Sequence, residues 1–265
     1  MTDWLQALKW TKENIHLFNG DSNKITIFGE SAGGQSVATL FSSLNHNHES
    51  QPETLFTRAI VQSSPFGIPY KSKAQGVELT DEFFKKLDCT DWKCAESRSA
   101  ESIINAQSKT RGFKSNEQMT AYFETWTPVI DGGLVQVHPM EGLRENVRNS
   151  DKELMIGHTS SEGSVFVYSI FKNMVFKEKM GKLAYETAIK LMFKSHSDLV
   201  LRKFQSPCGL IDIGCDTRDF LSKVVGNYSA FKMLVWLRDL VIFGDFQNSF
   251  RPKKSKFQFF GRKIF

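Results

Sequence analysis

Residues 25–34 read Ile25-Thr26-Ile27-Phe28-Gly29-Glu30-Ser31-Ala32-Gly33-Gly34. The β-branched and aromatic run Lys24-Ile25-Thr26-Ile27-Phe28 predicts a short buried strand. Glycines punctuate 29–34, and Gln35–Leu44 can resume as a helix. Strand, sharp turn and helix around Gly-x-Ser-x-Gly is an arrangement with a chemical purpose. A serine hydroxyl is a weak nucleophile until a base takes its proton. A tight turn lifts Ser31 out at the sheet edge, where such a base can reach it. Gly29 and Gly33 are expected to permit the turn and the close approach of helix to strand. The N–H of Ala32, at the start of the helix, is the expected oxyanion donor.

Working outward, Trp4, Leu8, Thr11, Ile15 and Phe18 fall at helical spacing and predict one shared apolar face, with Asn19-Gly20 as the stop. Further strands are expected at Arg58–Gln62, Glu153–Gly157 and Lys256–Phe260. Helices are expected at Asp81–Leu87, Ala100–Gln107, Lys182–Phe193 and Phe220–Val241, the last as one long helix. Strands separated by helices point to an α/β fold with a mostly parallel sheet. No internal repeat or interdomain linker is visible, and the polar stretch 45–52 reads as a surface loop. The 265 residues are read as a single unit, with no separate second domain.

Composition narrows the function. Apolar residues make up 40% and charged residues 24%, which excludes a disordered or low-complexity chain. The net charge of +5 is too small for a dedicated nucleic-acid binder. The basic residues Arg251, Lys253, Lys254, Lys256, Arg262 and Lys263 read as a solvated end rather than a nucleic-acid or membrane site. The 23 Phe residues imply a large core or an apolar pocket. Lys232, Arg238 and Asp239 interrupt the longest apolar stretch, Ala230–Phe243, so no membrane span is expected. The start, Met1–Trp10, lacks the pattern of a signal peptide.

The decad around Ser31 resembles the active-serine signature of the type-B carboxylesterase and cholinesterase family. The resemblance continues in order along the chain: Ala7–Trp10 with Glu13–Ile15, Phe18–Asp21, Leu55–Ser63, Thr127–Gly132 and Ile156–Gly163. It implies the α/β-hydrolase fold and hydrolysis of small-molecule carboxylic esters through an acyl-enzyme, with no metal or organic cofactor. By the same resemblance Ser31 is the nucleophile and Glu162 the acid that orients the base. Glu30 is then a carboxylate beside the nucleophile, and Ser63 a polar group behind the site. Phe66 and Tyr70 fall where the family builds its acyl pocket, and Cys89–Cys94 matches a family disulfide.

The resemblance also implies a histidine, in a segment reading His-Gly and then an acidic residue. None of His16, His46, His48, His138, His158 and His196 stands in such a segment, and the glycine-rich oxyanion loop expected upstream of Ser31 is not in this sequence either. The chain is therefore expected to be a fragment, catalytically incomplete and prone to aggregate on its own. Cys208 and Cys215 form a second candidate pair. Disulfides imply an oxidising compartment, hence a secreted or extracellular full-length parent. Asn227-Tyr228-Ser229 is a weak glycosylation sequon inside an expected helix. The alternative function is a non-catalytic, cholinesterase-like binding or adhesion domain.

Overall fold

The structure is a computed structural model that describes residues 1–43, 55–110, 124–143, 152–159, 161–172, 179–209, 214–227 and 257–260. It opens with α1 (Thr2–Asn14) and a 3-10 turn, Ile15–Phe18, which closes at Asn19 in the left-handed region at φ 60°. Then follow β1 (Thr26–Glu30), α2 (Ala32–Ser42) and β2 (Arg58–Gln62). A two-residue strand, β3 (Lys71–Ser72), leads into α3 (Lys73–Leu87), α4 (Trp92–Glu96) and α5 (Ala100–Lys109). The chain continues through β4 (Val129–Ile130), β5 (Glu153–Gly157), α6 (Ser164–Lys172), α7 (Lys182–Phe193) and α8 (Ser197–Lys203). A last described helix, α9, covers 218–227, and β6 is Phe257–Phe260.

The main sheet has the order β1-β2-β5-β6, every pair parallel. Its register is even: Glu30 pairs with Gln62, and Gln62 with Gly157. The carboxyl ends of β1, β2 and β5 therefore stand level, which is where open parallel sheets place their chemistry. Ala59 and Val61 of β2 and Leu154 and Ile156 of β5 alternate inward and are buried. They pack with Leu5 of α1 and with Val37, Ala38, Leu40 and Phe41 of α2 into the principal core. A second core joins α6, α7 and α9 through Val167, Tyr185, Ile189, Leu221 and Val224. A third joins α3, α4 and α5 around Phe83, Leu87 and Cys89.

Local signals explain the helix starts. Ser72 and Gln75 exchange side-chain bonds with each other's backbone N–H, a capping box at the start of α3. Asp91 accepts from the N–H of Cys94 at 2.8 Å and caps α4. Both cysteine pairs are disulfides, Cys89–Cys94 and Cys208–Cys215. The Arg98 guanidinium lies over the first, donating to Cys89 Sγ at 3.4 Å and to the carbonyl of Asp88 at 2.8 Å.

Two expectations need correction. The first helical face does not run on to Phe18, which is 67% exposed, because the chain tightens into the 3-10 turn and rotates that side chain outward. Nor is β1 buried throughout: Phe28 is 74% exposed. Ile25 and Ile27 turn one face toward the principal core, and Thr26, Phe28 and Glu30 on the other face are exposed. The strand at Glu153–Gly157 and the helix at Lys182–Phe193 stand where the sequence puts them, and Lys256–Phe260 differs by its first residue. Of the expected helix Phe220–Val241, and of the sequon, the stretch from 228 onward lies outside the described residues, as do His46 and His48.

Candidate active site

Ser31 sits between the last residue of β1 and the first residue of α2, with φ 55° and ψ −118°. That conformation is unfavourable for a side chain with a Cβ and costs about 1–3 kcal/mol. Neighbouring backbone holds it there: Ser31 N–H donates to the carbonyl of Gln62 at 3.0 Å, and the carbonyl of Ser31 accepts from Gln35 N–H at 2.9 Å. The Ser31 side chain is exposed, and its hydroxyl has no hydrogen-bond partner among the described residues. Ala32 opens α2, so its N–H belongs to the first turn, whose donors have no carbonyl partner within the helix. The position is that of an anion-binding donor. Glu30 ends β1 and is exposed.

The glycines around the elbow differ in what they permit. A Cβ on Gly29 would lie 2.3 Å from the carbonyl carbon and oxygen of Gly33, and one on Gly34 would lie 2.6 Å from the carbonyl of Gln62. A Cβ on Gly33 would meet nothing within 4 Å. The close approach of α2 to the sheet therefore depends on Gly29 and Gly34. Gly33, expected from the motif to share that task, is sterically open.

Ser63 repeats the geometry one strand over. It follows Gln62, has φ 49°, and donates its N–H to the carbonyl of Gly157 at 2.8 Å. Its hydroxyl donates to Glu162 Oε1 at 2.7 Å. Thr159 N–H donates to the same oxygen. Glu162 is half-buried in the turn between β5 and α6. Its second oxygen, Oε2, accepts no hydrogen bond among the described residues. The structure thus brings Ser63 and Glu162 into contact and sets both beyond the level strand ends that also carry Ser31.

The remaining predicted residues lie deeper. Phe66 is in the principal core. Tyr70 is buried, shares a 2.6 Å hydrogen bond with Thr39 of α2, and packs edge-on against His138. Burial pushes its phenol pKa upward, against the effect of the Thr39 bond. Close by, burial raises the Glu124 carboxyl, opposed by the Gln35 side chain and by the Lys71 cation. Lys71 itself bonds the carbonyl of Glu124 at 3.3 Å. This polar group supports α2 from behind, and nothing in the motif announced it.

No histidine among the described residues bonds Ser31 or Glu162. His138 engages the carbonyl of Ile68 through Nε2 and accepts from Met140 N–H through Nδ1. His158 follows β5 directly, but its Nδ1 meets the carbonyl of Thr159 at 2.8 Å. His196 lies beside Ser195, and His16 lies exposed in the 3-10 turn after α1.

Similarity to known proteins supplies the family. A profile of the carboxylesterase family matches residues 1–229. The chain belongs to the carboxylesterase family. This carboxylesterase-family chain is 33% identical over 229 residues to Crystal protein of Dictyostelium discoideum, covering 85% of this chain and 38% of that protein. It is 32% identical over 169 residues to phenmedipham hydrolase of Pseudarthrobacter oxydans, covering 62% of this chain and 31% of that protein. It thus spans well under two thirds of the length of either relative. Carboxylesterase EST55 of Geobacillus stearothermophilus has a solved structure that aligns with a TM-score of 0.62. The alignment covers 89% of this chain and 45% of that one at 24% identity, a likeness of fold. The fold is accordingly that of an α/β-hydrolase.

Proposed function

We propose that this chain carries the nucleophile and the acid of a serine hydrolase that cleaves small-molecule carboxylic esters through an acyl-enzyme. One observation supports this above the others. A serine is held exposed at φ 55° on a strand-to-helix turn, while a carboxylate beyond the end of β5, two strands away in the sheet, is fixed through one oxygen only. Ser31 Oγ attacks the ester carbonyl carbon. Its proton passes to a base that the free oxygen of Glu162 orients, and the alcohol leaves. Ala32 N–H faces the oxyanion that develops. Water then attacks the acyl-serine, releasing the carboxylic acid and restoring Ser31. Ser63 holds Glu162, Glu30 adds negative charge beside the nucleophile, and Phe66 and Tyr70 back the acyl side. No metal or organic cofactor enters this chemistry. The chain is read as part of one carboxylesterase domain, and its two disulfides and its relatives are compatible with an extracellular or secreted parent.

Labelling with a fluorophosphonate probe tests the reading. Covalent capture at Ser31, lost in Ser31→Ala, is the expected result. A folded chain that takes no label would favour a non-catalytic binding domain. Two observations point that way: no histidine bonds Ser31 or Glu162 among the described residues, and Crystal protein does not carry an enzyme's name. Activity of the chain alone is expected to be weak, since removing one member of a catalytic triad costs several powers of ten in rate.

A further inference from the structure

Glu162 is anchored by more than its two hydrogen bonds. The next residue, Gly163, immediately precedes α6: its carbonyl accepts from Val167 N–H at 3.0 Å. Gly163 lies directly on the backbone of α9. A Cβ there would come within 2.0 Å of the carbonyl oxygen of Ser222 and 2.8 Å of the nitrogen of Gly226. From the other side, a Cβ on Gly226 would lie 3.0 Å from Gly163 N, 3.5 Å from Glu162 N and 3.6 Å from Glu162 Cβ. Two glycines 63 positions apart in sequence therefore let a helix and the acid-bearing turn meet backbone to backbone. Leu221 and Val224 hold that helix in the second core, with Val167 and Tyr185 opposite.

We propose that Gly226 is a positioning residue for Glu162: by presenting bare backbone, α9 seats the turn at residues 162–163 so that the carboxylate meets Ser63 Oγ and Thr159 N–H. The functional weight given to Glu162 rests on the hydrolase reading above; the seat itself does not. A side chain at 226 pushes first on Gly163 N, whose approach is the tightest of the three, and the push continues along the backbone to Glu162. A shift of the turn changes the distance and angle of both hydrogen bonds to the carboxylate, on which their strength depends. No feature of the local sequence around Gly226 marks it, since Lys223-Val224-Val225-Gly226 reads as ordinary helix.

Amide exchange by NMR on the full chain tests the seat without requiring activity. In Gly226→Ala, exchange at Thr159 should quicken about tenfold more than at Ile156 in the core of β5. Val224→Ala loosens the same helix without filling the seat and should quicken both amides in proportion. Ser63→Ala should leave Thr159 protected, because the backbone contact keeps the turn in place; this arm decides alone if Gly226→Ala does not fold. The proposal is overturned if Thr159 is unmoved in Gly226→Ala, if it moves only in proportion to Ile156, or if Ser63→Ala by itself strips its protection. Fluorophosphonate labelling reads the linked function separately. Wild-type chain that takes no label counts against the hydrolase reading and leaves the exchange comparison intact.

Discussion

The Ser31 turn and the Glu162 turn use the same device at very different distances along the chain. At Ser31, Gly29 lets α2 press onto the strand that immediately precedes it, and Gly34 lets the same helix press onto the carbonyl of Gln62 at the end of β2. At Glu162, Gly163 and Gly226 let a turn press onto a helix that arrives much later. In both, an atom-scale gap that only hydrogen can fill fixes a polar side chain close by. The first device needs only β1, α2 and the next strand, β2, which carries Gln62. The second forms only once α6 and α9 have packed through their own core. Ser31 is thus held by segments near it in sequence, and Glu162 by a helix that packs against it from far along the chain.

The largest test of this contrast is steric. Gly29→Ala and Gly34→Ala each drive a Cβ into backbone that cannot move without separating α2 from the sheet. Each is expected to cost on the order of 3 kcal/mol. Gly33→Ala, in the same motif, meets open space and gains helix propensity, so it should be neutral or stabilising by up to ~1 kcal/mol. Urea unfolding of the three variants checks this. Equal costs at 29 and 33 would show that the motif acts through backbone conformation rather than close approach.

What the sequence disclosed follows the same division. The elbow was legible because strand, turn and helix are adjacent and Gly-x-Ser-x-Gly names its parts. Even so, the pattern pointed to Gly33 where contact falls on Gly34, since motif spacing carries no information about which α2 residue faces Gln62. Ser63 and Glu162 were reached through resemblance alone; neither a serine after a strand nor a glutamate in a polar turn is distinctive. Gly226 was not legible at all, because its partner is remote. The outward turn of Phe18 and the exposed face of β1 were missed for a related reason: apolar periodicity reports what a segment can bury, not which of its faces finds a neighbour.

A smaller effect separates the two strained serines. Ser31→Gly relieves a positive φ at a hydroxyl that bonds nothing among the described residues, so it should raise stability by roughly 1 kcal/mol while abolishing probe capture. Ser63→Gly relieves similar strain but removes a donor from a half-buried carboxylate, and the two effects should nearly cancel. Thermal unfolding of both variants reads the difference. A destabilised Ser31→Gly would mean that the elbow is not strained, and that the exposed hydroxyl has a partner it loses.

The smallest expected effect lies at the far end of α9, where Asp216 ties the helix to Met180. The Asp216 carboxylate accepts from the guanidinium of Arg218 and from the backbone N–H groups of Arg218 and Met180. The Arg218 side-chain bonds, above all, hold its pKa below the usual carboxylate value, against the upward push of burial. A depressed folded-state pKa means that the stabilisation is complete above the unfolded value and is lost as pH falls through the folded one. With side-chain exposures of 28% for Asp216 and 21% for Arg218, solvent screening limits it to about 1 kcal/mol or less. Asp216→Asn should therefore be less stable than wild type near neutral pH, and the gap should close below about pH 4. If α9 seats the turn at Glu162, the same substitution should quicken Thr159 exchange only slightly, because Leu221 and Val224 still hold the helix. A gap that persists unchanged into acid would assign the contribution of Asp216 to its backbone caps rather than to its charge.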